Sequence, residues 1–310
     1  MSVARSHQRL PSAEAAAVRL AEQDGMATGI GVVDTHTGAV YAAGQSTRMV
    51  ASASVVKTLI ATRLILRGKL HGHNKSLAHI MITGSDNDAA QQLYPKVGGD
   101  RLVPLLEKHY HLSGLGAPPL TAGVWGATRL TAAGMAAFYA AVRHDRRVWP
   151  WLSAAMHAYH RTSTSGEPNT FGIAAAAPKS GVKNGWVLDH EPDRPVRTQI
   201  NTTGFVDHDR YAVAIFSRGP TSMYYRAGER VVSDEATLVA PHGHLTPLPA
   251  PHVQRLSKGS GPTAGGQRLT ILGAHFRDVR TVYFGTRAAR IVSAGGRRLD
   301  VVVPAQHRGR

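Results

Sequence analysis

The chain has 310 residues, of which 43% are hydrophobic and 18% charged, and this balance fits a folded globular protein of one larger and one small domain. No stretch approaches the roughly 18 consecutive apolar residues of a membrane-spanning helix, and the absence of cysteine excludes disulfides, thiol nucleophiles and thiolate metal sites. The formal net charge of +16 leaves a polyanionic partner open, but Lys and Arg are scattered without a basic run.

The opening MSVARSHQRLPSAEAAAVRL carries basic residues and no apolar core, so no secretory signal is visible. Ser12 is placed to cap a helix over SAEAAAVRLAEQDG that stops at Gly25. Alternating apolar residues in TGIGVVDTHTGAVYAAG then read as a hairpin turning near Thr37 and Gly38. From Ser54, the run SVVKTLIATRLILRGKL has apolar residues at Val55, Val56, Leu59 and Ile60 and a stop at Gly68, the pattern of a buried helix.

Residues 74 to 160 read as helical, with helices over 87–97, 100–110, 130–143 and 149–160, broken by the Gly- and Pro-rich stretch SGLGAPPLTAGVWG. Strand-like sequence returns in GVKNGWVL, RTQINTTGFV and RYAVAIFS, and residues 225–239 close the region as a helix. Two strands before a helical insert and three after it predict an α+β domain over residues 1–240. Its single antiparallel five-stranded sheet has flanking helices and an all-helical subdomain. Residues 241–252, PHGHLTPLPAPH, read as a linker. Residues 253–310 change character to short Val, Leu and Ile strands divided by Gly-rich turns, an all-β signature. Eleven Lys and Arg face two Asp in residues 251–310, so this end is the stronger candidate for contact with a polyanion.

A serine hydroxyl needs an adjacent base and a site for the oxyanion it generates. Ser54 and Lys57 share one helical face at i, i+3, with Ser54 at the amino-terminal end, where free N–H groups favour developing negative charge. A lysine desolvated there could serve as a neutral base. Ser85-Asp86-Asn87 follows after a mainly helical stretch, and Lys183-Asn184-Gly185-Trp186 lies on a predicted strand.

In this order and context the three elements resemble the Ser-x-x-Lys, Ser-Asp-Asn and Lys-Thr-Gly set of the serine β-lactamases and penicillin-binding proteins, class A in particular, over residues 12 to 240. The resemblance implies that Ser54 is acylated, Lys57 takes its proton, Ser85 relays a proton to the leaving nitrogen and Asn87 holds the substrate amide. It further implies that Lys183 binds the substrate carboxylate and that Asn184, Gly185 and Trp186 form the strand side of the substrate site. The oxyanion would rest on the backbone N–H groups of Ser54 and Trp186. Asp86 is expected to cap a helix.

Three departures stand out. Asn184 replaces the usual hydroxyl residue of the third motif. A competing match at Lys179-Ser180-Gly181 keeps that hydroxyl and leaves the strand lysine open between Lys179 and Lys183. Finally, the stretch GAPPLTAGVWGATRLTAAG holds no acid where class A β-lactamases carry the glutamate that activates the deacylating water.

The expected activity is therefore serine hydrolase chemistry on β-lactams or D-alanyl-D-alanine peptides with slow deacylation. The rival is a non-catalytic cell-wall-binding or adhesion protein of the same fold. No cofactor is expected. The seventeen His form no metal-ligand pattern, and His71, His73, His109, His111, His242 and His244 read as surface residues. No nucleotide-binding loop occurs, so nucleic acid and nucleotide partners are not expected. The resemblance implies an extracytoplasmic location, although the chain shows no signal.

In residues 253–310, Gly261-Pro262, Gly265-Gly266, Leu272-Gly273, Phe276, Val282, Phe284-Gly285 and the closing VVVPA resemble an IPT/TIG immunoglobulin-like domain that stops early. A partial sandwich of this kind is expected to leave a strand edge unpaired, open to a protein partner or a wall polymer.

Overall fold

A computed structural model describes residues 2–4, 8–9, 12–192, 194–245, 251–274, 276, 279 and 281–306. Two compact units emerge, one built mainly from residues 10–245 and one from residues 246–310 with the first nine residues.

In the larger unit, helix α1 (Ser12–Gln23) leads into strands β1 (Ala27–Asp34) and β2 (Val40–Gly44). The side chain of Ser12, expected to cap α1, lies outside what is described. Helices α2 (Val56–Leu66), α3 (Gly72–Thr83), α4 (Asn87–Leu93), α5 (Leu102–Tyr110), α6 (Ala132–His144) and α7 (Trp149–His157) follow. Strands β3 (Val182–Asp189), β4 (Arg197–Val206) and β5 (Tyr211–Pro220) and helix α8 (Tyr225–Val239) complete the unit. Five of its strands lie in the order β2-β1-β5-β4-β3, within a sheet of six where five were expected, so the two ends of the chain segment meet in one sheet; Val50–Ala51, Arg129–Leu130 and Gly116–Ala117 form a separate three-stranded sheet. This is the predicted α+β architecture.

The period-two alternation of β4 assigns the layers. Ile200 packs at Gly228 of α8, whereas Thr203 and Phe205 meet Tyr139 of α6 on the opposite face. At Gly31 an added Cβ would lie 2.5 Å from the Ala132 carbonyl oxygen, so glycine there lets the start of α6 rest on the sheet backbone.

Two helices end earlier than expected. The helix predicted over 87–97 stops at Leu93 and is followed by a separate turn at Pro95–Val97, because Pro95 has no N–H to continue the ladder. The helix predicted to residue 160 ends at His157. Residues 241–252, expected as a linker, carry local structure at both ends. Pro241–Gly243 forms a helical turn whose Gly243 carbonyl accepts the Asp207 N–H at 2.8 Å, and a strand begins at His252. Residues 246–250 lie outside the described residues.

The second unit contains β6 (His252–Leu256), β7 (Arg268–Ala274), β8 (Thr281–Phe284), β9 (Arg287–Ala294) and β10 (Arg298–Val302) around a core of Leu269, Ile271, Phe276, Val282, Leu299 and Val301. The unpaired edge expected of this module is occupied at β8. Ser2–Ala4 adds as an antiparallel strand, with Val3 opposite Val282.

Candidate active site

Ser54 lies in a helical turn, Ala53–Val55, that runs into α2. Ala53 before it has φ +48°, a left-handed conformation that costs a non-glycine residue about 1–3 kcal/mol and persists only where its surroundings enforce it. Those surroundings are polar and buried. Asn201 of β4 donates from Nδ2 to the carbonyls of Ala51 (3.0 Å) and Ser52 (3.1 Å), and Gln199 Nε2 braces Asn201 Oδ1 at 2.6 Å. The Ser52 N–H donates to the Thr128 carbonyl at 2.8 Å, and Asp189 Oδ2 accepts the Ala51 N–H at 3.3 Å. Arg129 holds Asp189 through a 2.7 Å ion pair.

Lys57, one helical turn beyond Ser54, is fully buried. Its Nζ donates to Ser85 O at 2.6 Å and Asn87 Oδ1 at 2.7 Å, with a longer 3.4 Å contact to Ser85 Oγ. Ser54 Oγ has no hydrogen-bond partner among the described residues. Lys183, also buried, reaches across from β3 and donates to Ser85 Oγ at 2.8 Å. Ser85 itself has φ +56°, a second left-handed residue at the site. Burial, reinforced by the Lys183 charge, pushes the Lys57 amine down to about 6 while Asp86 pulls it back up; burial alone pushes Lys183 down to about 7.

The other expected residues separate into two groups. Asn87 is exposed at the start of α4, and Trp186 lines the cleft. Gly185 lies directly against the Ser54 turn, and an added Cβ would stand 2.7 Å from the Ser54 nitrogen and 3.0 Å from Ala53 Cβ. The Phe205 N–H donates to the Gly181 carbonyl at 3.0 Å, and the register continues as Lys183↔Thr203 and Gly185↔Asn201. By the alternation of an antiparallel pair, the N–H of Trp186 therefore points off the sheet edge.

Asn184 is a correction, because its side chain turns away from the cleft. It is fully buried, its Nδ2 donates to the carbonyls of Asn169 and Phe171, and its Oδ1 accepts from Thr202. Lys179 stands exposed in a turn that lines a different cavity with His157, Asp207 and His244. Asp86 Oδ1 accepts the Ala89 N–H at 2.7 Å as the N-cap of α4. Glu107 and Asp145 are occupied elsewhere, with the Leu115 N–H and with Arg147 and Tyr110 respectively.

The cleft has a volume of about 230 Å³ and is lined by Ser54, Ser85, Asn87, Trp125, Ser165 and Trp186 among others, none of them acidic. Trp125 and Ser165 were not anticipated. Trp125 comes from the Gly-rich stretch, and its ring centroid lies 4.7 Å from Lys57 Nζ, within cation–π range. The position of an aromatic in a periodicity-free segment is set only by tertiary packing. Asn201 was likewise missed, although Gln199, Asn201, Thr202 and Thr203, all fully buried, make an unusually polar strand interior that could have signalled a support.

Residues 251–310 match the IPT/TIG domain family. LppW, named as a lipoprotein, of Mycobacterium tuberculosis strain H37Rv is 30% identical, the match covering 55% of this chain and 58% of the relative. The same values hold for LppW of Mycobacterium bovis. The chain thus spans 58% of the length of these curated relatives. Among solved structures, PBP-A superposes with a TM-score of 0.58 at 15% identity, covering 76% of this chain and 97% of that one. A β-lactamase from Streptosporangium roseum gives 0.56 at 18% identity, covering 74% and 97%. An ancestral class A β-lactamase gives 0.56 at 18% identity, covering 74% and 98%. The chain has the fold shared by class A β-lactamases and PBP-A, and its residues 251–310 are an IPT/TIG domain.

Proposed function

We propose that this protein is a serine acyl-transfer enzyme that forms an acyl-enzyme at Ser54 with β-lactams or D-alanyl-D-alanine peptide ends and deacylates slowly. The observation that carries this reading is the convergence of Lys57 and Lys183 on Ser85 beside the Ser54 turn. Neutral Lys57 takes the proton as Ser54 Oγ attacks the carbonyl carbon, and the oxyanion is met by the N–H groups of Ser54 and Trp186. The C–N bond then breaks, Ser85 passes a proton to the departing nitrogen, and Lys183 in its charged form binds the substrate carboxylate. Asn87 holds the substrate amide, and Gly185 keeps the space before the Ser54 N–H open.

Slow deacylation is supported by the cleft lining. No acid is present there among the described residues to activate water, and the Trp125 ring lies beside the Lys57 amine. A fluorescent penicillin tests the reading when both covalent label and loss of free drug are followed, with Ser54→Ala as control. Persistent label that requires Ser54 is the expected result. Rapid drug loss would mark an efficient β-lactamase instead. Folded protein that takes no label would overturn the assignment of Ser54 and favour a binding protein of the same fold.

A further inference from the structure

A second cavity of the larger unit, about 670 Å³ in volume, is lined by Arg48, Arg194, Arg197 and Arg218 together with Glu22 and an apolar wall that includes Met26. Among the described residues its charge is unbalanced: Glu191 serves Arg48 (3.0 Å), Arg194 (3.5 Å) and Arg218 (3.6 Å), and also pairs with Arg129. Arg197 has no ion pair among the described residues. The Arg218 side chain is only 10% exposed, and among the described residues its Nε has no hydrogen-bond partner, nor has the buried Nε of Arg48. Burial depresses the Arg218 pKa, and Arg48 adds to the effect against the pull of Glu191.

A buried guanidinium N–H without an acceptor is costly, and a buried cation in excess of its counter-ions is more so. Arginine side chains lining one cavity in excess of their described counter-ions match the oxygens of an anionic phosphoryl group. The volume exceeds that of the anion itself, and the remaining wall suits a neutral body attached to it.

We propose that this cavity binds a phosphate ester, its phosphoryl group held by Arg218, Arg48 and Arg197 and its neutral body against the wall containing Met26. The site is independent of the Ser54 chemistry. Phosphoryl groups reach a protein as small monoesters or as the diesters of a polymer, and the probes separate these sources.

The test is isothermal titration of the full chain with inorganic phosphate, glycerol 3-phosphate and a poly(glycerol phosphate), against sodium chloride at equal ionic strength. Saturable binding of at least one phosphate probe is expected, weakened about tenfold or more in Arg218→Gln and in Arg197→Gln, with Arg255→Gln in β6 unchanged. Arg197 makes no ion pair among the described residues, so its variant is expected to keep the fold even if the Arg218 variant does not. Binding of glycerol 3-phosphate marks a small-ester site and binding of the polymer alone a diester site, provided both respond to Arg197→Gln. No heat beyond the chloride control, or binding that Arg197→Gln leaves unchanged, would overturn the proposal.

Discussion

The Nζ of Lys57 lies 4.7 Å from the centroid of the Trp125 ring, so an aromatic face stands beside the amine proposed to activate Ser54. Trp125→Glu would place a general base at the cleft and is expected to shorten the lifetime of the penicillin label about a hundredfold, the lower end of what general-base catalysis supplies. Trp125→Phe keeps the ring and should leave the lifetime nearly unchanged. Label decay followed by gel fluorescence checks this, and equal lifetimes in Trp125→Glu and the parent protein would mean that something other than a missing base limits deacylation.

The two buried lysines imply a narrow pH optimum for acylation. Lys57 must be neutral to accept a proton, which favours pH above about 6, whereas Lys183 must be charged to hold a carboxylate, which favours pH below about 7. Because the amines interact, the limbs belong to the pair. Labelling rates with an anionic penicillin at subsaturating concentration are expected to peak between these values. A rate that climbs steadily into the range of an ordinary lysine would contradict a depressed Lys57.

Gly185→Ala puts a methyl group 2.7 Å from the Ser54 nitrogen and 3.2 Å from the Ser52 carbonyl oxygen, where rigid backbone cannot easily yield. The expected result is a loss of acylation of about a hundredfold, the scale of removing one oxyanion donor, with circular dichroism unchanged.

Asn184→Ala is expected to act on stability and hardly on ligand affinity. It strips donors from the Asn169 and Phe171 carbonyls and an acceptor from Thr202, at a cost of about 1–3 kcal/mol in chemical denaturation. A large affinity change with unaltered stability would show that Asn184 reaches the ligand after all.

Glu235 of α8 accepts hydrogen bonds from Thr28 (2.6 Å) and Ser217 (2.7 Å), yet burial pushes its carboxyl up to about 7. The folded protein therefore holds this proton to higher pH than the unfolded chain. The resulting stabilisation is complete below the ordinary glutamate pKa and is lost as pH rises through about 7. Glu235→Gln should remove this loss, so the variant gains relative to the parent between pH 5 and 8 by up to about 3 kcal/mol. Parallel stability curves for the two proteins across that range would refute the shift.

Much of the fold and the outline of the site were legible in the amino-acid order. Alternation in the β1–β2 hairpin, the Gly38 turn, the strand-like runs of β3, β4 and β5 and the apolar run of α2 are local signals, and hydrophobic burial converts each into a sheet or helix segment. The spacing of Ser54 and Lys57 is likewise local, since three residues along a helix make one side of it. Which lysine meets Ser85 is a different kind of question. Lys179 and Lys183 differ by one turn of chain in sequence, and only the pairing of β3 with β4 buries the second and leaves the first in solvent. The same pairing decides that Asn184 faces inward, because neighbouring residues of a strand take opposite sides. The closeness of Trp125 to Lys57, the bracing of the Ser54 turn by Asn201 and the sharing of Glu191 among Arg48, Arg129 and Arg218 join residues far apart in the chain. No local propensity encodes such contacts; they exist because the assembled sheet and helices bring distant side chains within a few ångströms, where burial makes an unpaired charge or donor costly.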